Sequence, residues 1–306
     1  KVFLDAQIPF CANLGPILPP MAATFQENQN NPPKAMQLKQ DLPESMRSFL
    51  LEKAAEYESL SFIADDPIAI PHRYSNPEDI EVAGFLTASL AWGNRKSILK
   101  SANALMGRMD HQPAEFLRDA SPNELRDATT GFVHRTFQER DAALFFIALR
   151  GILKRYGRLE NVFVEGHGLS QGTTVSPMAA AIGHFHQVFF NIAAEAGWPA
   201  DRTKKHVAQP QKGSAAKRIN MYTRWMVRPA TRGVDFGIWK GLSPADLMIP
   251  LDVHTGNVAR KLGLIDRKAN DWQTVELMMH ALRQVDPEDP VRMDFALFGL
   301  GAIEGF

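Results

Sequence analysis

The chain of 306 residues has a single cysteine, Cys11. One thiol cannot build a disulfide framework, a thiolate zinc site or an iron–sulfur cluster. Net charge is also missing, since 34 Lys and Arg balance 34 Asp and Glu. No chain-wide field therefore marks a polyanionic partner. No apolar run reaches the roughly 20 residues that a membrane span needs. The opening KVFLDAQIPFCANLGPILPP is apolar in flavour, but Asp5 and its prolines interrupt it, so it does not read as a secretory signal. A cytoplasmic protein with no membrane partner is expected. Alternating β-branched runs, the mark of half-buried strands, are scarce as well. His184-Phe185-His186 is the nearest approach to a metal motif, and His-x-His in a helical pattern points its rings apart. No metal and no organic cofactor is expected.

What is present is an ample apolar fraction, 45%, enough for an ordinary core. Residues 1–42 carry scattered prolines and the polar run from Gln26 to Asn31 without a helical or strand period. They read as a disordered or loosely packed extension, ahead of one helical domain over 43–306. Helical periodicity then runs nearly throughout. The spacing predicts helices over 44–58, 79–90, 96–109, 140–156, 178–196, 214–228, 254–262, 271–284 and 290–299. An all-α fold follows.

Charge is uneven along this neutral chain. Between Asp201 and Lys240, ten Lys or Arg stand against two acids, Asp201 and Asp235, a local net charge of +8. Such a block is the footprint expected of a polyanion site, and equally of a solvated helix face with unrelated basic loops.

Three segments can carry chemistry. In GSAAKRINMYTRWMVR, residues 213–228, a helical wheel puts Lys217, Met221, Arg224 and Arg228 on one face, with Asn220 beside them. Ile219, Tyr222, Met226 and Val227 fall on or near the other. Gly213 and Ser214 precede the helix, where free backbone N–H groups bind phosphate well. The plainer reading is an amphipathic surface helix. In MIPLDVHTGNVARKLGLI, residues 248–265, Asp252 stands just before a helix. It can serve as an N-cap worth roughly 1 kcal/mol, or as an ionised carboxylate that steadies a developing cation. In GFLTASLAWGNRKS, residues 84–97, an apolar helix ends in Trp92, Gly93, Asn94 and Arg95. That set suits a nucleic-acid groove, or else a buried Trp beside a glycine cap. The clusters Asp65-Asp66-Pro67 and Asp286 to Asp289 read as acidic turns.

Taken in chain order, these segments resemble the helix–hairpin–helix DNA glycosylase superfamily, typified by endonuclease III. DIEVAGFLTASLAWGNR is similar to the helix whose following loop enters DNA in that superfamily. GSAAKRINMY is similar to the hairpin and helix that bear the nucleophilic lysine, here Lys217. LDVHTGNVARKLGL is similar to the motif with the catalytic aspartate, here Asp252, and DPVRMDFALFGLG to the helix near the end of the core. NMYTRWMVR, DFGIW and PLDVHTGNVARKLGL resemble in particular an uncharacterised bacterial family, domain of unknown function 2400. The resemblance covers roughly residues 79–301 and departs in places. Ala215 stands where the hairpin usually has its second glycine. Lys217 and Asp252 lie 35 residues apart, with RPATRGVDFGIWKGLSP inserted between them as in the archaeal glycosylases for oxidised guanine. No cysteines follow the last helix.

The resemblance implies a two-lobed helical fold with a cleft between the lobes, duplex DNA or RNA as partner, and base excision by Lys217 and Asp252 with an AP-lyase step. It assigns DNA contacts to Trp92, Asn94, Arg95, Gly213, Ser214, Arg218, Arg224 and Arg228. The alternative is a non-enzymatic nucleic-acid-binding protein on the same fold.

Overall fold

The computed structural model describes residues 41–306. The extension expected over 1–42, apart from Asp41 and Leu42, lies outside the described residues. Twelve α-helices account for most of what is described. The first is α1, Glu44–Tyr57, which buries Leu50 and Ala54. The second is α2, Pro77–Leu90, where Pro77 occupies the first helical position and the Asn76 side chain accepts from the Glu78 amide at 3.1 Å. Every residue from Ile80 to Leu90 is buried, so α2 has no solvent face and runs through the centre. A kinked exit, Ala91 to Asn94, leads to α3, Arg95–Gly107, capped by the Asn94 side chain.

Two short helices follow, α4, Pro113–Asp119, and α5, Pro122–Thr129. A two-residue antiparallel ladder, β1 Val133–His134 with β2 Phe137–Gln138, is the only sheet among the described residues. Then come α6, Glu139–Tyr156, α7, Leu159–Gly168, and α8, Pro177–Glu195. The last four are α9, Lys217–Val227, α10, Val253–Lys261, α11, Trp272–Val285, and α12, Met293–Phe298. A π-helical turn, Gly299–Ile303, extends α12.

Helix α2 packs along α9, and Gly84 lets them approach: a Cβ there would stand 3.0 Å from Met226 Cε. Around this contact lies an aromatic core. Phe85 meets Tyr222 at 5.5 Å between ring centroids, and Phe163 stacks on Phe185 at 4.6 Å. Helices α6, α7 and α8 pack together on one side, while α1, α10 and α11 gather around α12 and its π turn on the other.

The all-α expectation holds, and the long periodic segments fall within a few residues of where they were expected. Three helices did not show in the periodicity. Of these, α4 and α5 span only seven and eight residues, too few turns for a period to repeat. The expected geometry of α9 needs correction. It begins at Lys217, after a hairpin in which Gly213 and Ala216 both adopt positive φ (83° and 50°). Every residue from Ile219 to Val227 is buried, so beyond Lys217 the wheel's cationic face is interior.

Candidate active site

Lys217 is the first residue of α9, and Asp252 is the N-cap of α10. The Lys217 Nζ lies 2.8 Å from Asp252 Oδ2. The other carboxylate oxygen, Oδ1, accepts from the Thr255 amide at 2.9 Å. One carboxylate therefore caps its helix and pairs with the lysine. Both side chains keep partial solvent access, 38% and 24%. Burial would raise the Asp252 carboxyl. The Lys217 ammonium, the Thr255 amide and nearby His254 outweigh it and hold the group below the usual aspartate range.

Buried amides fix the pair in place. Asn220, one turn along α9, donates to the Ala215 carbonyl at 3.1 Å and to the Ile249 carbonyl at 3.4 Å. It thereby ties the hairpin before Lys217 to the strand-like segment before Asp252. Asn270 donates to the Asp252 carbonyl at 3.2 Å. The hairpin is also clasped from outside, as Trp272 N–H donates to the Gly213 carbonyl at 3.1 Å and Ser214 bridges to Asp271.

Sequence reasoning missed two further carboxylates. Asp294, on the first turn of α12, is 7% exposed and pairs with Arg224. Burial pushes its carboxyl up to about 6, with Asp252 adding to the rise and Arg224 and Lys217 opposing it. Asp66 caps Ile68 with Oδ1 at 3.0 Å. Burial raises its carboxyl too, within the fields of Arg224, Arg95 and Lys217. Asp66 was read as part of an acidic turn. It is that, and it also lies within the field of Lys217, on the turn Leu60–Ala69 that packs against α12 through Phe62, 5.1 Å from Phe295. No local pattern signals either residue.

The expected DNA contacts divide three ways. Gly213, Ser214, Asn94 and Arg95 are exposed, although the Asn94 side chain is occupied as the α3 cap and Arg95 lies over the Phe298 ring at 5.6 Å. Trp92 is half-buried, with its ring 5.0 Å from His134 and 5.6 Å from His206. The Arg218 guanidinium lies 4.7 Å above it and donates to the Ser89 carbonyl. Trp92 and Arg218 thus clamp the end of α2 to α9 and are not a free wedge and a free phosphate ligand. Burial brings the Arg218 guanidinium down to about 10.

Arg224 and Arg228 are corrected outright. Each is 2% exposed. Arg224 reaches Asp235 and Asp294, and Arg228 reaches Asp235, Glu58 at 2.7 Å and Asp289 at 2.7 Å. They neutralise a buried carboxylate cluster and cannot meet a phosphate. Two of the block's ten cations and one of its two acids, Asp235, are therefore interior, and its exposed cations lie in the segments that flank α9. Among the described residues, no group of three or more His, Cys, Asp or Glu side chains is placed to hold a metal ion. No helix among them is long and apolar enough to cross a membrane.

A lysine and an aspartate paired at two abutting helix N-termini, within an all-helical fold, define the class of site. The description "Protein of unknown function (DUF2400)" matches residues 66–303, and the chain belongs to that family. No curated protein and no solved structure matches it.

Proposed function

We propose that the protein is a DNA glycosylase of the base-excision type, with an AP-lyase step, in which Lys217 is the nucleophile and Asp252 its partner. The observation that carries this reading is the 2.8 Å contact between Lys217 Nζ and Asp252 Oδ2. The two residues are 35 positions apart in sequence, and both remain open to solvent. A structural ion pair at two helix ends would gain little from that exposure.

The chemistry follows from the pair. A protonated amine is no nucleophile, so the Lys217 ammonium must first give up a proton, and Asp252 is the acceptor in contact with it. The neutral amine attacks the sugar C1′ as the C1′–N bond breaks, and the base leaves with the bonding electrons and takes up a proton. Positive charge on the sugar develops beside the Asp252 carboxylate once its proton has passed on. Ring opening then gives a Schiff base, from which β-elimination cleaves the strand. The exposed Gly213-Ser214 turn suits a backbone phosphate, and Gly93 to Arg95 suit the groove.

Borohydride trapping on duplexes that each carry one lesion or an abasic site tests this. The wild type should be trapped on at least one of them and Lys217→Gln on none, with DNA affinity kept. A wild type that binds duplex DNA but is never trapped would leave the non-enzymatic binder. Ala215 in the hairpin, where the superfamily has glycine, is the feature that favours that second reading.

A further inference from the structure

The β1–β2 hairpin, Val133 to Gln138, has no part in the chemistry above, yet it stands beside the loop that follows α2. His134 faces inward. It packs its ring on Trp92 at 5.0 Å and joins Ser101 Oγ at 2.9 Å. Its neighbours face outward. Val133 is 61% exposed. Arg135 is exposed at the hairpin tip with φ of +56°, a left-handed conformation that a long side chain seldom adopts. Its guanidinium crosses directly over Gly93, where a Cβ would stand only 2.4 Å from one of its terminal nitrogens. Gly93 itself has φ of +97°. Glycine takes such a φ freely, so the strain at this place on the surface is that of Arg135, and strain of this kind is retained at functional sites.

Cations outnumber acids around this place. Arg95 and Lys96 open α3 just beyond Gly93. Arg202 and Lys205 come from the 200–206 turn, whose His206 stacks on Trp92 and meets Phe137. Among the described residues, no carboxylate lies within ion-pair distance of Arg135, Arg95, Lys96 or Lys205. Arg202 reaches only the buried Asp141, at 3.7 Å. The acids of these elements are engaged elsewhere. Asp141 holds the Thr203 hydroxyl and the Gln138 amide, Glu139 accepts from the Gly131 amide, and Asp201 pairs with Lys204.

We propose that the hairpin tip and the Gly93–Arg95 loop form one duplex-engaging prong, in which Arg135 meets a DNA backbone phosphate and Val133 packs against the adjacent sugar. This rests on the nucleic-acid reading of the site and adds an element to it. The cations assembled here come from α3, the hairpin and the 200–206 turn. They replace Arg224 and Arg228 as the electrostatic footprint. Since Arg135 lies on Gly93, the hairpin tip and the loop after α2 present one continuous surface.

Fluorescence anisotropy with an undamaged duplex, across a salt series, tests the proposal. Each phosphate neutralised contributes about 0.9 to the log–log salt slope. Arg135→Gln should lower the slope by about one and weaken binding severalfold at low salt, and Arg135→Lys should restore the slope. The control is Arg155→Gln, at the far end of α6 and paired with Glu195, which should change nothing. A wild type that does not bind duplex DNA overturns the site reading and the prong together. A wild type that binds, with Arg135→Gln binding identically, overturns the prong alone. Equal losses in Arg135→Gln and Arg155→Gln also overturn it, because the effect is then one of net charge. A slope that drops only with single-stranded or RNA ligands removes duplex DNA as the partner.

Discussion

Asp252 shows how much one residue can be asked to do. Its Oδ1 caps α10 and its Oδ2 holds Lys217. Asparagine caps as well as aspartate but cannot accept a proton from the lysine or stabilise a cationic sugar. Asp252→Asn should therefore fold with at most a small loss of stability and bind DNA normally. Base release should slow by orders of magnitude, because the carboxylate acts on the transition state. Single-turnover kinetics beside a thermal melt separate the two roles. A large drop in melting temperature with unchanged kinetics would mean that the carboxylate is structural.

Ala216, just before Lys217, makes a second residue-scale test. It sits at φ 50°, ψ 30° and is 2% exposed. A left-handed conformation costs a non-glycine residue roughly 1–2 kcal/mol, and a buried methyl returns about 0.8 kcal/mol. Ala216→Gly should thus lie within about 1 kcal/mol of wild type. Ala216→Val, β-branched where φ is positive, should be clearly destabilising and should move Lys217 out of register. Denaturant melts of the two variants check this, and equal stabilities would mean that the hairpin relaxes freely.

At the scale of the element, α9 carries the main correction. Its Lys217 end is partly open to solvent, while its Arg224–Arg228 end is sunk among Glu58, Asp235, Asp289 and Asp294. Asp235 lies just beyond α9 and the other acids far away in sequence, just after α1, before α12 and on α12, so a helical wheel had no means to show them. It ranked arginine as surface because an unpaired guanidinium must be solvated. Removing one partner of such a cluster leaves buried charge uncompensated, at a cost of about 3–5 kcal/mol. Arg228→Met should lose stability on that scale in a urea melt and leave the salt slope of DNA binding untouched in whatever fraction stays folded. A variant as stable as wild type, with a flatter slope, would return Arg228 to the surface.

Over the whole molecule, buried titratable groups set the response to acid, and they pull in opposite directions. The His186 and His206 imidazoles are held down to about 4, mainly by burial, with nearby cations adding to it. Between pH 6.5 and 4 the unfolded chain binds protons that these histidines in the fold refuse, so stability falls on acidification. Asp294, raised to about 6, does the reverse, because the folded state takes its proton before the unfolded one does. Asp252, with a depressed carboxyl, contributes stability that is present above about pH 4 and lost below it. His134 and His184 are held down by burial as well, while Asp66, Glu81, Glu276 and Asp289 are raised by it like Asp294, so the two sets oppose one another in the wild type. Asp294→Asn removes one group that gains stability in acid, so its melting temperature should fall further from pH 6.5 to 4 than that of the wild type. The same profile in both proteins would show that Asp294 titrates in the fold as it does in the unfolded chain.

Composition and periodicity by themselves determined the helical class, the long helices such as α2 and α6, and the residue types at the helix starts. Caps and amphipathic spacing are local, and a local pattern can be read from a string. The order of the motifs was enough to single out Lys217 and Asp252. Only the tertiary structure decided that their side chains touch, since the 34 residues between them must fold before the N-termini of α9 and α10 abut. It also decided that Arg224 and Arg228 are interior and that Asp66 and Asp294 stand near the pair. The cations free to meet a polyanion come from three separate segments. Burial and charge pairing are sums over neighbours distant in sequence, and those neighbours exist only once the chain has closed on itself.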